Sequence, residues 1–258
     1  MSKLVKVCGI KTEEAANCAI ESDVDLLGVI LVPNRKRTID HNVAKKISLL
    51  ASDKRKMKNT QFKTVNSILK HLEGQSFLNS DQYFIAFKQL IIDNGPFLVG
   101  VFRNQDISDV FKIAGELSLD FIQLHGNEDK EEFCQYNSLK ESCTYGIIPR
   151  FVIPRDIDVM DKLFTETIRD NVYVGSGLAL PLLDSELGGE GKTIDWKAVD
   201  DLKKGKFILA GGLNPSNVRS AFVINNVIGF DVSGGVEDED GNKDLTKIES
   251  FIKAVKET

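Results

Sequence analysis

The sequence predicts a single α/β domain folded as a closed, eight-stranded (β/α)8 TIM barrel, and three observations lead to this prediction. Short apolar runs alternate with longer segments of helical spacing along almost the whole chain. The apolar runs number eight and are nearly continuous, as in parallel strands buried on both faces. The chain has 258 residues, close to the roughly 250 residues of such a barrel. An open doubly wound sheet or two smaller domains would be the alternatives, and the count of eight strands favours the barrel.

Each predicted strand is followed by a predicted helix, in the order that the barrel requires. Thr12 and Asn214 are expected to cap two of these helices, and Pro215 suits the first helical position after Asn214. Strands are expected at residues 4–8, 26–31, 97–102, 121–124, 145–152, 180–183, 207–210 and 228–232. Helices are expected at residues 12–22, 41–51, 107–117, 129–136, 156–169, 196–203, 215–224 and 245–256.

One segment breaks this alternation, because residues 52–95 separate the second helix from the third strand where a short connection suffices. Its first part is polar and rich in lysine, which predicts a flexible basic arm. Its second part has Phe84, Phe87 and Ile91 at helical spacing, which predicts an extra amphipathic helix. We expect this insertion within the single 1–258 domain to be structural, with a docking arm as the alternative.

The composition excludes several classes of protein. A formal net charge of −5 gives no general attraction for nucleic acid or anionic membranes. The four cysteines, Cys8, Cys18, Cys134 and Cys143, form no CxxC pair, so neither a zinc site nor a disulfide framework is indicated. No apolar run is long enough to span a membrane, and the first residues do not resemble a secretory signal. We therefore expect a cytoplasmic protein that acts as a monomer, with free thiols and a small-molecule substrate.

Two glycine-rich turns follow the last two predicted strands, in ILAGGLNPSNV and GFDVSGGVE. Glycines let backbone N–H groups approach phosphate oxygens closely, and a helix beginning near Asn214 would add its positive end. The loops after strands seven and eight are also the usual phosphate position in this fold. Together the turns predict a phosphate site, whereas ordinary turn glycines are the alternative for either turn alone.

Cys8 and Asp184 both follow predicted strands at the end where barrel active sites lie. A thiol beside the start of a helix can have its thiolate favoured by the positive backbone end, as proton abstraction requires. A carboxylic acid in an apolar site can donate a proton near neutral pH, and the leucines and proline before Asp184 suit such a site. The alternatives are a small buried thiol at Cys8 and a loop-capping carboxylate at Asp184.

Three more polar residues are expected at the same rim. Arg37, in the basic loop VPNRKRTID, can bind a planar carboxylate through two parallel hydrogen bonds, with Arg35 and Lys36 as rivals. A solvated surface role is the alternative for Arg37. His125 and Asp231 also follow or end predicted strands, and each could instead fix loop structure.

At these residues the sequence resembles phosphoribosylanthranilate isomerase of tryptophan biosynthesis, in its fungal, single-function form. The resemblance runs from end to end, apart from residues 52–95 and part of 151–177. The motifs that carry it are KVCGIK, GVILVPNRKRTID, VGVFRNQ, FIQLHGNE, PLLDSELGGEGKTIDW, LAGGLNPSNV and IGFDVSGGVE.

The resemblance implies an Amadori rearrangement of N-(5-phosphoribosyl)anthranilate to 1-(2-carboxyphenylamino)-1-deoxyribulose 5-phosphate, with no metal or organic cofactor. It implies that Cys8 is the general base, Asp184 the general acid and Arg37 the ligand of the anthranilate carboxylate. His125 and Asp231 are further candidates for substrate binding. The implied phosphate site consists of backbone groups around Gly188, Gly189, Gly191, Gly212, Asn214, Ser233 and Gly234.

Two other functions are alternatives to this interpretation. The sister aminoaldose isomerase of histidine biosynthesis would be expected to use two aspartates, and Cys8 stands where one of them would be. A non-catalytic barrel that binds a phosphorylated metabolite would explain the glycine turns. It would leave the pairing of Cys8 with Asp184 unexplained.

Overall fold

The fold is a closed barrel of eight parallel strands, seen in a computed structural model that describes residues 2–139, 145–169, 175–184, 196–202 and 204–257. Each strand pairs with the next along the chain, and β8 pairs with β1 to close the barrel. The predicted barrel and its eight strands are confirmed, with strand ends that differ by one or two residues. The strands are β1 Leu4–Cys8, β2 Leu26–Ile30, β3 Phe97–Phe102, β4 Phe121–Leu124, β5 Gly146–Phe151, β6 Leu182–Leu183, β7 Phe207–Leu209 and β8 Val227–Val232.

Helices surround the strands and begin where short polar side chains cap them. Thr12 accepts a hydrogen bond from the backbone N–H of Ala15, as its predicted capping role requires, and Asp106 accepts one from that of Ser108. The helices are α1 Glu13–Glu21, α2 His41–Met57, α3 Val65–Glu73, α4 Ser80–Asn94, α5 Ile107–Leu117, α6 Lys130–Ser138, α7 Ile157–Arg169, α8 Trp196–Asp200 and α9 Leu245–Lys256. None of the helices in these ranges is both long and apolar enough to cross a membrane.

The segment 52–95 differs from the flexible basic arm that the sequence predicts for its first part. Residues up to Met57 complete α2, and α3 follows eight residues later at Val65. The basic residues lie mostly on the exposed side, but Arg55 is buried in an ion pair with Asp120, with its Nη1 atom 3.1 Å from Oδ2. The apolar side of α3 is buried as well, through Val65, Ile68, Leu69 and Leu72.

Helix α4 occupies the residues at which the sequence predicts an extra amphipathic helix, and it packs against the N-terminal ends of the strands. The Tyr83 hydroxyl donates a hydrogen bond to the carbonyl oxygen of Leu178, just before β6. The Lys88 ammonium donates to the carbonyl oxygen of Ser2, just before β1, at 3.0 Å. Helix α4 therefore covers the end of the barrel at which active sites are not found.

The structure also differs from the sequence prediction at residues 215–224, where an α-helix is expected. A 3₁₀ helix at Val218–Val223 takes its place, and Asn217 directly before it makes no side-chain cap. The side chain of Asn214 accepts from the backbone N–H groups of Ser216 and Asn217, at 2.9 and 3.1 Å, and its carbonyl oxygen accepts from the N–H of Val218, as its predicted capping role requires. The β-branched and aromatic residues that follow have low helix propensity, which explains the short, tight turn structure.

The described cysteines Cys8, Cys18 and Cys134 are free thiols. Cys143 lies outside the described residues. No group of three or more His, Cys, Asp or Glu side chains in the described ranges could hold a metal ion.

Candidate active site

A cavity of about 570 Å³ opens at the C-terminal ends of the strands. Its volume falls within the range of small-molecule sites, and its position is the one that active sites occupy in this fold. Of the predicted site residues, Gly188, Gly189 and Gly191 lie outside the described residues. All the others line this one cavity, namely Cys8, Arg37, His125, Asp184, Gly212, Asn214, Asp231, Ser233 and Gly234.

Cys8 is the last residue of β1 and is almost completely buried, with 6% of its surface exposed. Burial raises the pKa of the Cys8 thiol, because the charged thiolate loses hydration. The ammonium groups of Lys6 and Lys243 oppose this rise, whereas the carboxylate of Asp231 adds to it. Among the described residues, the groups that favour the Cys8 thiolate are therefore the ammonium groups of Lys6 and Lys243.

Lys6 and Asp231 form an ion pair beneath the cavity. The side chain of Lys6 is fully buried, and its Nζ atom lies 3.0 Å from Oδ1 of Asp231. Burial raises the pKa of Asp231 while the Lys6 charge lowers it, and the net shift is upward. Asp231 thus takes part in a buried charge pair at the cavity floor, beyond the loop-fixing role that the sequence left open.

Asp184 follows β6 and is 3% exposed. Its Oδ2 atom lies 3.2 Å from Nε of Arg150 in β5 and 3.7 Å from Nε2 of His125. Asp184 is therefore buried, as the prediction requires, but its described neighbours include a guanidinium and an imidazole as well as the apolar residues before it.

His125 follows β4 and is uncharged at physiological pH. Burial, together with the charges of Arg150, Lys6 and Arg103, lowers its pKa to about 3. Gln123 Nε2 lies 3.3 Å from Nδ1 of His125. If this amide donates to Nδ1, the imidazole carries its proton on Nε2, the atom that faces Asp184.

Arg37 lies at the cavity rim next to the loop that follows β8. Its Nη2 atom is 3.1 Å from Oε2 of Glu237, and Oε1 of the same carboxylate is 3.0 Å from Nζ of Lys243. Arg35 and Lys36 also line the cavity, but Lys36 donates its hydrogen bond to the carbonyl oxygen of Asp240. Of the three basic residues in this loop, Arg37 is the one that Glu237 holds close to the turn after β8.

The two glycine turns after β7 and β8 meet at one side of the cavity. Gly211 and Gly212 have φ angles of 92° and 65°, which are strained for residues with a side chain. A Cβ atom on Gly235 would collide with the carbonyl oxygen of Leu213, so glycine allows the two turns to touch. Ser233 Oγ is buried and has no hydrogen-bond partner among the described residues. These features suit backbone binding of an anion, although a 3₁₀ helix replaces the expected α-helix end.

Several polar residues of the site, three of them inside strands and three in the loops after β3 and β8, were not predicted from the sequence. Side chains two apart in a strand point to the same side, so Lys6 accompanies Cys8 and Gln123 accompanies His125. For the three strand residues, the available signal was a charged or amide residue inside an apolar strand. The missed residues are Lys6, Arg103, Gln123, Arg150, Glu237 and Lys243.

Comparison with known proteins gives consistent matches. The family model of N-(5'-phosphoribosyl)anthranilate (PRA) isomerase matches residues 57–254. The chain is 47% identical over 251 residues to the Candida albicans N-(5'-phosphoribosyl)anthranilate isomerase, covering 97% of this chain and 96% of that protein. It is 38% identical over 260 residues to the Saccharomyces cerevisiae isomerase, covering 98% and 94%. These relatives are fungal and of similar length, as the resemblance implies.

Solved structures agree with the fold. An isomerase from Thermotoga maritima has a TM-score of 0.65 at 28% identity and covers 99% of this chain and 100% of its own. A phosphoribosylanthranilate isomerase in complex with reduced 1-(o-carboxyphenylamino)-1-deoxyribulose 5-phosphate has the same TM-score at 26% identity, with the same coverage. From the family match and the fungal relatives, this chain belongs to the phosphoribosylanthranilate isomerase family.

Proposed function

We propose that this chain isomerises N-(5'-phosphoribosyl)anthranilate to 1-(2-carboxyphenylamino)-1-deoxyribulose 5-phosphate in tryptophan biosynthesis, with Cys8 as general base and Asp184 as general acid. The observation that carries the proposal is that Cys8, Asp184, Arg37 and the two glycine turns line a single cavity. Family membership supplies the reaction, and the geometry supports these residue roles.

The cavity suits a substrate with an anionic group at each end. Arg35, Lys36, Arg37 and Arg103 line it although the chain has a net charge of −5. We assign the anthranilate carboxylate to Arg37, whose guanidinium can form two parallel hydrogen bonds. We assign the phosphate to the backbone around Gly212, Asn214, Ser233 and Gly234. Binding at both ends would fix the ribose between the catalytic groups, and such positioning can supply much of the acceleration.

The proposed chemistry has two proton transfers. Asp184 donates a proton to the furanose ring oxygen while the anthranilate nitrogen forms an iminium at C1 and the ring opens. The Cys8 thiolate then removes the hydrogen from C2 as a proton, and the C–H electron pair forms the C1=C2 bond. The resulting enolamine tautomerises to the ketone product. His125 and Asp231 are proposed to contact the substrate, because both line the cavity beside these groups.

The proposal includes activity as a monomer in the cytoplasm without a metal or an organic cofactor. Its support is that the described cavity is built from residues of one chain. Sedimentation at the concentration of the assay, and turnover in the presence of a chelator, test the monomer and the lack of a metal. Turnover that required a dimer or an added metal would contradict this part of the proposal.

The experiment that tests the function follows the fluorescence of freshly prepared N-(5'-phosphoribosyl)anthranilate after the purified chain is added. We expect the fluorescence to fall as the anthranilate amine is rearranged, and we expect chromatography to identify the ketose product. Heat-denatured chain is the control for spontaneous decay of the substrate. Absence of turnover by folded chain would overturn the proposed function.

A further inference from the structure

Lys6 is a fully buried lysine in the middle of β1, and the proposed reaction gives it no role. A lysine ammonium is costly to bury unless it is paired and hydrogen-bonded. Because side chains two apart share one side of a strand, Lys6 points to the same side of β1 as Cys8. The position of Lys6 therefore suggests a link to the thiol.

The neighbouring strand shows how close the two groups are. Cys8 pairs in register with Gly28 of β2. A Cβ atom placed on Gly28 would lie 2.8 Å from Sγ of Cys8 and 3.1 Å from Nζ of Lys6. The ammonium and the thiol thus share the space that Gly28 leaves open, and a side chain at position 28 would displace both groups.

Asp231 holds the ammonium from the other side. Lys6 and Asp231 are in register between β1 and β8, and the Nζ–Oδ1 distance is 3.0 Å. Burial lowers the pKa of Lys6, but the charges of Asp231 and Cys8 outweigh burial and raise it. Lys6 therefore carries a positive charge at physiological pH, next to a thiol that burial alone would keep protonated.

We propose that Lys6 is a positioning residue whose ammonium group, held by Asp231, stabilises the thiolate form of Cys8. This inference rests on the proposed function, in which that thiolate is the base. Lys6 keeps its proton throughout. The proton from C2 of the substrate moves to Sγ, and the C–H electron pair neutralises the iminium, so the thiolate charge that Lys6 balances is lost in this step.

Other charged groups also face the thiol, and they give the inference a second test. Lys243, from the loop after β8, stabilises the thiolate as Lys6 does, whereas Asp231 destabilises it. His125 is uncharged near neutral pH. Removing the Lys6 charge and removing the Asp231 charge should therefore shift the ionisation of Cys8 in opposite directions. Loss of local structure alone predicts no such opposition.

The test measures the rate at which iodoacetamide alkylates Cys8 as a function of pH. Mass spectrometry of the peptide that carries Cys8 separates it from the other three cysteines. We expect Lys6→Met to move the midpoint of the profile upward by roughly one to three pH units, the usual effect of an opposite charge at this range. We expect Asp231→Asn to move it downward. Lys3→Met, which removes a lysine at the other end of β1, is the matched control and should leave the midpoint unchanged.

A variant with an unpaired buried charge can fail to fold, so the double variant Lys6→Met/Asp231→Asn removes both charges together. Its midpoint should still lie above that of the natural chain, because Lys6 affects the thiol more than Asp231 does. An unchanged midpoint in the Lys6 variants, or shifts of the two single variants in the same direction, would overturn the inference. The alkylation profile needs no substrate. It therefore tests Lys6 separately from the proposed function, which the turnover of the natural chain decides.

Discussion

The buried ion pair of Arg55 at the N-terminal end of the barrel differs from the polar groups that line the cavity at the C-terminal end. At the N-terminal end, Arg55 pairs with Asp120 and also donates to the carbonyl oxygens of Lys63 and Pro96. At the C-terminal end, Gln123 Oε1 and Ser233 Oγ are buried without a partner among the described residues, and both residues line the cavity. Charged groups satisfied by the chain itself stabilise a fold, whereas unsatisfied polar atoms at a cavity are available to a ligand.

The same difference applies to the ion pairs. Asp25, near the N-terminal end, accepts from Lys256 at 2.8 Å and from the backbone of Val5 at 2.7 Å, far from the cavity. The pairs of Lys6 with Asp231 and of Arg150 with Asp184 lie at the cavity instead, where they adjust the groups proposed to move protons. We conclude that the N-terminal end is organised for stability and the C-terminal end for chemistry, as is general in this fold.

The largest expected effect comes from the two proposed catalytic residues at the C-terminal end. Cys8→Ser and Asp184→Asn should each lower kcat roughly 10²- to 10⁴-fold, the usual contribution of a general base or acid. Binding of the reduced product analogue should persist, because neither residue is assigned to an anionic end of the substrate. Cys18→Ser, at a half-buried thiol outside the cavity, is the control and should retain full kcat. Full activity of Asp184→Asn would remove Asp184 as the acid.

At the N-terminal end, Arg55→Met should lower the free energy of unfolding by about 3–5 kcal/mol, because Asp120 would be left as an unpaired buried charge. Urea unfolding measures this change. The kcat of the folded fraction should be unaffected. Lys56→Met, which removes an exposed neighbour paired with Asp53, is the control and should leave the stability nearly unchanged. A large loss of kcat in folded Arg55→Met protein would break the proposed division between the two ends.

A smaller effect is expected at the cavity rim. Arg37→Ala should raise KM roughly ten- to hundred-fold with little change in kcat, because it removes a charged hydrogen bond worth about 1.5–3 kcal/mol. Arg35→Ala, in the same loop, should have a much weaker effect, since Glu237 positions Arg37 and not Arg35. Steady-state kinetics of both variants decide between the two arginines. A larger rise in KM for Arg35→Ala would assign the carboxylate to Arg35.

Much of the fold could be predicted from the sequence, because its signals are local. The apolar runs are buried strands, and Thr12 caps α1 through a contact three residues away. The basic segment after residue 51 was misjudged because Arg55 is buried by Asp120, a partner 65 residues along the chain. Such pairing leaves no periodic signal near Arg55. The helix expected after Asn214 differs for a local reason. The predicted cap at Asn214 is present, but the residues that follow have low helix propensity and form a 3₁₀ helix.

The candidate site was predicted in position but not in electrostatics. Cys8 and Asp184 were placed by the rule that strand ends form the active site, and both line the cavity. Their surroundings depend on which strands become neighbours, so the partners Lys6 and Arg150 could not be assigned from spacing alone. As a result, neither the guanidinium beside Asp184 nor the ammonium beside Cys8 could be predicted from the sequence.

The most direct test of the central claim is the pH dependence of the residual kcat/KM of Asp184→Asn. Without the acid, the rate should follow the fraction of Cys8 thiolate. Because burial raises the pKa of that thiol, kcat/KM should still be rising above pH 8, close to tenfold per pH unit below the pKa. Adding Cys8→Ser should abolish the rise. A residual rate that is independent of pH, or that survives in the Cys8→Ser/Asp184→Asn double variant, would contradict a thiolate base at the C-terminal end.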